Sequence, residues 1–380
     1  MIKPTIVVIA YKREQSLDRL LQSLTRATYP AKNVRLVISI DKSDNEKVTD
    51  AANGFIWNFG EKIILHHRER LGLKNHVLFC GDLTNEYGSI IMLEDDLFVS
   101  PYFYTYALLS SEFYRDDDHV AGISLYNHMF NEVAVFPFYP IDDGSDVYFL
   151  QIAASWGQLF WKHKWQLFRE WYKINSDITE IKDVPASILR WPESSWKKHF
   201  IGYLVATNKY FVYPRISLAT NYSDSGENYR MDTARNQVPI LYGEKRWVFR
   251  TFEESEIKYD PFCEICTDYI KKREPDLLKY RNLVIDLYGN RPLINDPEYC
   301  FITSKPSKKP IKRYGLNFKS IHSNIDPFNP GNYFTVSLAS DCYDSMFSRI
   351  QRKVDIFNFF YRKTSIKMYF FLTLNKILFR

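Results

Sequence analysis

Four short runs of apolar residues, rich in Val and Ile, recur in the first part of the chain, and helical patterns follow them. Runs of this kind are typical of strands buried on both faces of a sheet. They read TIVVIA (5–10), VRLVISID (34–41), KIILHH (62–67) and SIIML (89–93). Strands that alternate with helices predict an α/β fold with a mostly parallel sheet and helices on both faces. Ligands of such folds bind beyond the carboxyl ends of the strands, where we expect the functional site.

Three acids follow the fourth run directly: Glu94, Asp95 and Asp96. Adjacent carboxylates repel one another, and burying one of them without a partner is costly. Because Phe98 and Val99 resume the apolar pattern, the triplet is unlike an open acidic turn. A divalent cation that prefers oxygen ligands would remove the conflict, so the sequence predicts a site for Mn²⁺ or Mg²⁺.

The first strand ends in AYKRE, which contains neither GxGxxG nor GxxxxGK[ST]. This argues against a dinucleotide site and a P-loop kinase, and the glycine-rich loop expected of sugar nucleotidyltransferases is also missing. A bound diphosphate would therefore need the metal and a cation such as Arg13. For Arg13 alone, a surface salt bridge is an equally good explanation.

The order of several segments resembles the GT-A fold of metal-dependent nucleotide-sugar glycosyltransferases. The resemblance is to N-acetylglucosaminyltransferase I and to bacterial surface-polysaccharide transferases of the glycosyltransferase family 2 type. It covers about residues 3–230 and rests on VVIAYKR, VISIDKSD, HHRERLGLKNHV, IIMLEDDLFVSPYF, ISLYN and AASWGQLFWKHKW.

The resemblance implies roles for the matching residues. Those that would bind the nucleotide are Ala10, Arg13, Asp41 and His76. Asp96 would be the metal ligand, and Glu94 and Asp95 would lie beside the donor sugar and the ribose. Ser225 and Gly226 would belong to a loop that closes on the diphosphate. Trp156 and Gly157 fall in the acceptor-side segment, although core packing is an equally good role for Trp156.

The chain departs from the family at the catalytic base, which is normally an Asp just before a Trp. Here the segment reads WPESSW, and serines precede Trp196. Serine does not usefully accept a proton at neutral pH, so we predict Glu193 as the base and Asp183 as the reserve. The alternative for Glu193 is a structural acid at the start of a helix, where it would favour the helix dipole.

Composition places the chain among ordinary globular proteins: it has 380 residues, 46% of them hydrophobic, and a net charge of +5. Its five cysteines are too scattered for a disulfide framework, and no apolar stretch reaches the ~20 residues of a membrane span. The apolar N-terminal run lacks a cleavage site for a signal peptide. We expect a bacterial cytoplasmic protein, bound peripherally to the inner face of the plasma membrane.

The domain organisation predicted from these patterns has three parts. A GT-A catalytic domain spans 1–232, with its acceptor segment at 151–230, and a mixed α/β extension follows at 233–344. The Lys- and Pro-rich segment 303–315 reads as an exposed connection or edge. The tail, 345–380, combines basic residues with an apolar helical stripe, which suits an anionic membrane surface. A helix docked on the protein, or half of a dimer contact, is the alternative.

Together these features predict a metal-dependent, inverting hexosyl- or N-acetylhexosaminyltransferase with a nucleotide-sugar donor, for which a UDP-sugar is expected. The expected acceptor is a glycan or lipid-linked saccharide in surface-polysaccharide biosynthesis, and no nucleic acid is expected as a partner. One alternative is a sugar nucleotidyltransferase or another metal-dependent phosphoryl-transfer enzyme. The other is a non-catalytic binding module on a degenerate transferase fold.

Overall fold

The computed structural model describes residues 3–222, 224, 234 and 236–361. The chain divides into two compact units, the first formed by Met1–Asn127 and Gly144–Ser255, the second by His128–Asp143 and Glu256–Arg380. The three-part division at residues 232 and 344 stays a prediction.

The secondary structure alternates between strands and helices in the first part of the chain, as the sequence predicts. The strands are β1 (Thr5–Ala10), β2 (Leu36–Ile40), β3 (Lys62–His66), β4 (Ser89–Glu94), β5 (Leu97–Val99), β6 (Val120–Ser124), β7 (Phe130–Asn131), β8 (Phe136–Pro137), β9 (Val147–Leu150), β10 (Gln158–Trp161), β11 (Tyr210–Pro214), β12 (Ala219–Asn221), β13 (Lys258–Tyr259), β14 (Asn282–Asp286), β15 (Tyr299–Thr303), β16 (Lys312–Tyr314) and β17 (Phe334–Leu338). The α-helices are α1 (Glu14–Thr25), α2 (Glu46–Gly54), α3 (Gly72–Asp82), α4 (Thr84–Tyr87), α5 (Phe103–Tyr114), α6 (Lys162–Ile174), α7 (Ala186–Leu189), α8 (Trp196–Ala206), α9 (Thr267–Arg273) and α10 (Met346–Phe360).

The main sheet of the first unit places its strands in the order β9-β11-β6-β10-β4-β1-β2-β3. The pairs β1–β2, β1–β4, β2–β3 and β6–β11 are parallel, whereas β10 is antiparallel to both of its neighbours and β9 is antiparallel to β11. All six residues of β1 are buried, as expected for a strand covered on both faces. The predicted α/β fold class, with its mostly parallel sheet, is confirmed and is consistent with a GT-A-like fold.

Helices cover both faces of this sheet. On one face, alternate residues of β1, such as Ile6 and Val8, join a core with the leucines of α1 and with residues of α2 and α5. On the other face the core is aromatic. The ring of Phe160 in β10 lies 4.8 Å from that of Trp165 in α6 and 5.4 Å from that of Phe200 in α8. These two layers hold the carboxyl ends of the central strands in place.

The second unit contains a smaller sheet in the order β14-β15-β17-β16, in which β16 is an edge strand as predicted for its segment. Lys305 departs from that prediction, because it is buried and its ammonium pairs with the buried Asp286. The helix α10 begins at a capping box formed by Ser345 and Ser348, and it buries Val354 and Ile356. No helix in the described part of the chain is long and apolar enough to cross a membrane.

Candidate active site

The carboxyl ends of β2, β1 and β4 meet at one edge of the main sheet. Ile9 of β1 pairs with Glu94, the last residue of β4. The backbone N–H of Asp41, just after β2, donates to the carbonyl of Ala10 at 2.9 Å. The residues predicted from three separate strand ends are therefore neighbours, as parallel pairing requires.

Arg13 joins the ends of β1 and β4 by ion pairs to two of the acids. Its Nη1 lies 3.0 Å from Oδ2 of Asp96, and its Nη2 pairs with Oδ1 of Asp95. Both aspartates are buried, with 3% and 9% of their surface exposed. The backbone N–H of Tyr11 also donates to Asp95. Arg13 is thus part of the acid cluster, and its side chain is 24% exposed. Its role in binding a diphosphate stays a prediction.

The acid cluster carries more negative charge than Arg13 balances. Burial, and then repulsion by Asp96, raises the pKa of Glu94 to about 8, although Arg13 opposes the shift. Burial also raises the pKa of Asp95 to about 6, against the attraction of Arg13. The pKa of Arg13 is raised because the neighbouring carboxylates outweigh the effect of its own burial. A further positive charge at this point would stabilise the ionised cluster.

Asp96 has the chemistry that a hard divalent cation requires. Its Oδ2 is taken by Arg13, but its Oδ1 is buried and makes no hydrogen bond within the described residues. Mg²⁺ and Mn²⁺ prefer such carboxylate oxygens. No group of three or more His, Cys, Asp or Glu side chains with metal-site geometry occurs in the described ranges. A metal on Asp96 would therefore need oxygen ligands from a substrate or water, as Mg²⁺ commonly has in phosphate-binding sites.

Asp41 and His76 connect the end of β2 to α3. The two carboxylate oxygens of Asp41 accept hydrogen bonds from the backbone N–H groups of Leu71, at 2.8 Å, and Gly72, at 2.9 Å. His76 is buried, and its Nε2 lies 2.8 Å from Oγ of Ser39. Burial lowers the pKa of His76 to about 4, so its imidazole is neutral at pH 7.

The chain returns to the acid cluster at the end of β12. The backbone N–H of Tyr222 donates to the carbonyl of Asp96 at 2.8 Å. Oδ2 of Asp224 accepts a 2.6 Å hydrogen bond from Ser16 and pairs with Arg19, both on α1. Tyr222 therefore lies beside the predicted metal ligand. Ser225 and Gly226, predicted to belong to a closing loop, lie outside the described residues.

Trp156 and Gly157 lie at the start of β10, on the side of β4 opposite to β1. Gly157 has a φ of +90°, and a Cβ there would come within 3.1 Å of Leu125 and 3.3 Å of Ala219. Only glycine suits this position without strain. The Trp156 ring lies 4.6 Å from that of Tyr126 and is partly buried against the core.

Lys197, in the first turn of α8, is a site residue that the sequence reasoning missed. It is 7% exposed, and its ammonium lies 5.2 Å from the ring centre of Trp156 and 5.5 Å from that of Trp191. Its charge also reaches Glu94, where it opposes the larger effect of burial on the pKa. The sequence feature that could have indicated Lys197 is the pair of lysines directly after Trp196, because the first turn of a helix normally favours acids.

Glu193 and Asp183, the predicted bases, are both exposed. The carboxylate of Glu193 pairs with Lys198, and its Oε2 lies 3.4 Å from Nε2 of His199. The hydrogen bond from Lys198 lowers the pKa of Glu193 and favours its ionised form. Asp183 has a φ of +65° in the loop before α7. Described contacts link neither carboxylate to the acid cluster, and the assignment of the base stays a prediction.

No protein-family model matches the chain, and no curated protein is significantly similar to it. The solved structures that are similar to part of this chain include S. aureus TarS and a mannosyltransferase. The 1–349 fragment of S. aureus TarS in complex with UDP-GlcNAc is 10% identical, with a TM-score of 0.38, over 59% of this chain and 60% of that one. The mannosyltransferase PcManGT from Pyrobaculum calidifontis, in complex with GDP-Man and Mn²⁺, is 10% identical, with a TM-score of 0.35, over 56% and 57%. The chain therefore covers less than two thirds of either structure.

Proposed function

We propose that this protein is a metal-dependent glycosyltransferase that moves a hexosyl or N-acetylhexosaminyl group from a UDP-sugar to an acceptor hydroxyl. The observation that carries the proposal is the buried acid cluster, in which Arg13 holds Asp95 and Asp96 while Oδ1 of Asp96 has no hydrogen bond. This arrangement suits a cation shared with a phosphate-containing substrate. Because it follows strand ends of a mostly parallel sheet, it lies where such folds bind nucleotides.

The donor would lie across the ends of β1, β2 and β4. Asp96 would hold the divalent cation, which when bound supplies charge neutralisation for the leaving diphosphate. Arg13 positions the acids and adds its own positive charge for the phosphates. Asp41 and His76 keep the start of α3 in place at the nucleotide side, next to the backbone of Ala10. Glu94 and Asp95 would face the sugar and ribose, and the loop with Ser225 and Gly226 would cover the diphosphate.

The transfer would proceed with inversion at the anomeric carbon. Glu193 would accept the proton of the acceptor hydroxyl, because its carboxylate is held in the ionised state beside Lys198. Asp183 is the second candidate for this role. Trp156 would offer an aromatic face to a sugar, and Gly157 allows the close packing that places it there.

The proposed setting is surface-polysaccharide biosynthesis on the cytoplasmic face of a bacterial membrane, with a glycan or lipid-linked acceptor. Support comes from α10, whose Met346 and Phe347 are 78% and 71% exposed although the helix is packed on its unit. Arg349 and Lys353 on the same helix are also exposed. Exposed apolar and basic side chains together suit an anionic bilayer surface.

Product analysis tests the proposed activity. The protein would be incubated with a panel of UDP- and GDP-sugars, with Mn²⁺ or with a chelator, and the nucleotide products would be separated. Metal-dependent release of UDP supports the transferase, whereas pyrophosphate release would assign a nucleotidyltransferase. If no donor is consumed and none raises the melting temperature, the catalytic proposal is wrong.

A further inference from the structure

An open groove lies at the edge of the main sheet opposite to the acid cluster. Arg35 and Glu61 line this groove and directly precede β2 and β3, so it is at the amino ends of these strands. The acid cluster follows the carboxyl ends, and the five residues of β2 separate the two edges by roughly 16 Å. The groove has a volume of about 770 Å³, which is within the range of small-molecule sites. It is therefore separate from the proposed donor site.

Three aromatic side chains line the groove and pack on one another. The ring of Tyr29 lies 4.5 Å from that of Phe59 and 5.4 Å from that of Trp57. The Tyr29 hydroxyl donates to the carbonyl of Leu24 at 2.8 Å. Nε1 of Trp57 donates to the carbonyl of Val34, also at 2.8 Å. Because their polar atoms are engaged inside the protein, these rings offer mainly apolar surface to a ligand.

The same groove carries polar groups that can bind hydroxyls. Asn33 and Asn58 line it, both are exposed, and neither side-chain amide makes a hydrogen bond within the described residues. Arg35 and Glu61 form an ion pair, with 2.8 Å between Nε and Oε2, and their side chains are 38% and 58% exposed. Amide, guanidinium and carboxylate groups supply both donors and acceptors. The groove thus combines apolar rings with hydrogen-bonding groups of both kinds.

Close backbone packing fixes the shape of the groove before any ligand binds. The backbone N–H of Val34 donates to the carbonyl of Phe59 at 2.8 Å. A Cβ at Gly60 would come within 2.3 Å of the carbonyl oxygen of Val34, so only glycine allows this approach. Asn33 has a φ of +58°, a conformation that asparagine adopts more readily than most residues. A preformed site loses little conformational entropy when it binds a ligand.

We infer that this groove is a second glycan site, which binds a neutral saccharide chain away from the active site. The rings suit the apolar faces of sugars, while the amides and the ion pair suit their hydroxyls. A nucleotide or phosphate ligand would need more unpaired positive charge than Lys32, the one cation of the groove besides the paired Arg35. The inference rests on the proposed function in naming the ligand: a transferase that extends a glycan gains effective concentration by holding the chain at a second point.

Calorimetry on the full-length protein tests the inference with chitotetraose, maltotetraose and a proline-rich decapeptide, the last as a probe for a peptide ligand. We expect at least one tetrasaccharide to bind and the peptide not to bind. N33G/N58A should weaken saccharide binding about tenfold or more, because two amide partners are lost. Glycine keeps the positive φ at position 33, so this variant should fold normally. R35Q/E61Q, a change to different groups of the groove, should act in the same direction, whereas N53A, at an exposed asparagine of α2, is the matched control.

Donor hydrolysis measured on the same proteins separates this inference from the proposed function. N33G/N58A should release UDP without saccharide within a few-fold of wild type, because the groove lies at the opposite edge of the sheet. Saccharide binding that is weakened in both groove variants and kept in N53A supports the glycan site even if no donor is consumed. The inference would be overturned if neither tetrasaccharide bound, if the peptide bound in their place, or if both folded groove variants bound saccharide like wild type. UDP release together with any of these results would leave the proposed function standing without the glycan site.

Discussion

Asp96 has one carboxylate oxygen paired with Arg13 and another that makes no hydrogen bond within the described residues. Because the unpaired oxygen makes no such contact inside the protein, D96N should affect metal binding far more than folding. We expect metal-dependent turnover to fall by at least roughly 100-fold. The melting temperature without metal should stay the same or rise slightly, since a negative charge leaves a cluster of like charges.

Turnover with Mn²⁺ and thermal unfolding with and without Mn²⁺ would be measured on the same preparations. D50N, at an exposed aspartate on α2, is the control for an Asp-to-Asn change. Full activity of D96N, or of the wild type in chelator, would contradict the metal role of Asp96.

Glu193 differs from the acid cluster because it is exposed and its pKa is lowered by the hydrogen bond from Lys198. If it is the general base, E193Q keeps the shape of the side chain and removes its ability to accept a proton. We then expect kcat to fall by about 10²–10⁴-fold with little change in donor affinity. E170Q, at an exposed glutamate of α6, should behave as wild type. Turnover of E193Q within a few-fold of wild type would direct the search to Asp183.

The elements of the first unit follow closely from sequence patterns, because their signals are local. Apolar runs predict β1 to β4, and the parallel pairing then brings Arg13 and the acids to one edge. The position of Lys197 was not predictable in this way, because it depends on how α8 packs beside β10 and the end of β4. The burial of Lys305 was not predictable from local patterns either, because Lys305 follows β15 and pairs with Asp286 at the end of β14.

The helix α10 shows that hydrophobic periodicity alone does not predict which residues of a helix are buried. The predicted apolar stripe includes Phe347, which is 71% exposed, and Val354, which is 3% exposed. The helix also buries Arg352, whose guanidinium lies 2.9 Å from Asp344. The ion pair and the capping box at the start of α10 thus act together with the buried Val354, which belongs to the stripe, in fixing how the helix packs.

A buried acid–imidazole pair connects two segments of the second unit. Oε2 of Glu264 lies 2.8 Å from Nε2 of His322, which also accepts a hydrogen bond from the backbone of Ile265 at 3.3 Å. An Nε2 that accepts from Ile265 carries no proton, so the carboxyl group is the donor in this pair. Burial is the largest cause of both shifts. With a further contribution from the charge of Asp286, it raises the pKa of Glu264 well above 4.5, and it lowers that of His322 from 6.5 to about 3.

This pair should give stability a plateau between about pH 4.5 and 6.5. The folded pair keeps one proton, while the unfolded pair binds two below this window and none above it. Stability should therefore decrease on both sides, by up to about 1.4 kcal/mol per pH unit. The difference in unfolding free energy between wild type and E264Q/H322N, measured from pH 4 to 8, isolates this contribution. A difference that does not vary with pH would contradict the retention of one proton by the folded pair.

We expect the whole protein to attach to an anionic membrane surface, and the packing of α10 determines which shortened chain can test this. Ending the chain at Asp344 would remove α10 and uncover the core around Ile356, so a chain ending at Tyr361 is the better choice. The full-length protein should sediment with anionic vesicles and be released by high salt, because each basic residue near the surface contributes about 1 kcal/mol.

The chain ending at Tyr361 lacks Arg362, Lys363, Lys367, Lys376 and Arg380, so it should bind these vesicles at least tenfold more weakly and keep donor hydrolysis. R349E/K353E in the full-length chain should weaken binding further than the isosteric pair R349Q/K353Q, since it reverses charge on the exposed side of α10. Neutral vesicles are the control for the lipid charge. Binding of equal strength to neutral and anionic vesicles, or no binding by the full-length protein, would leave α10 with a purely structural role.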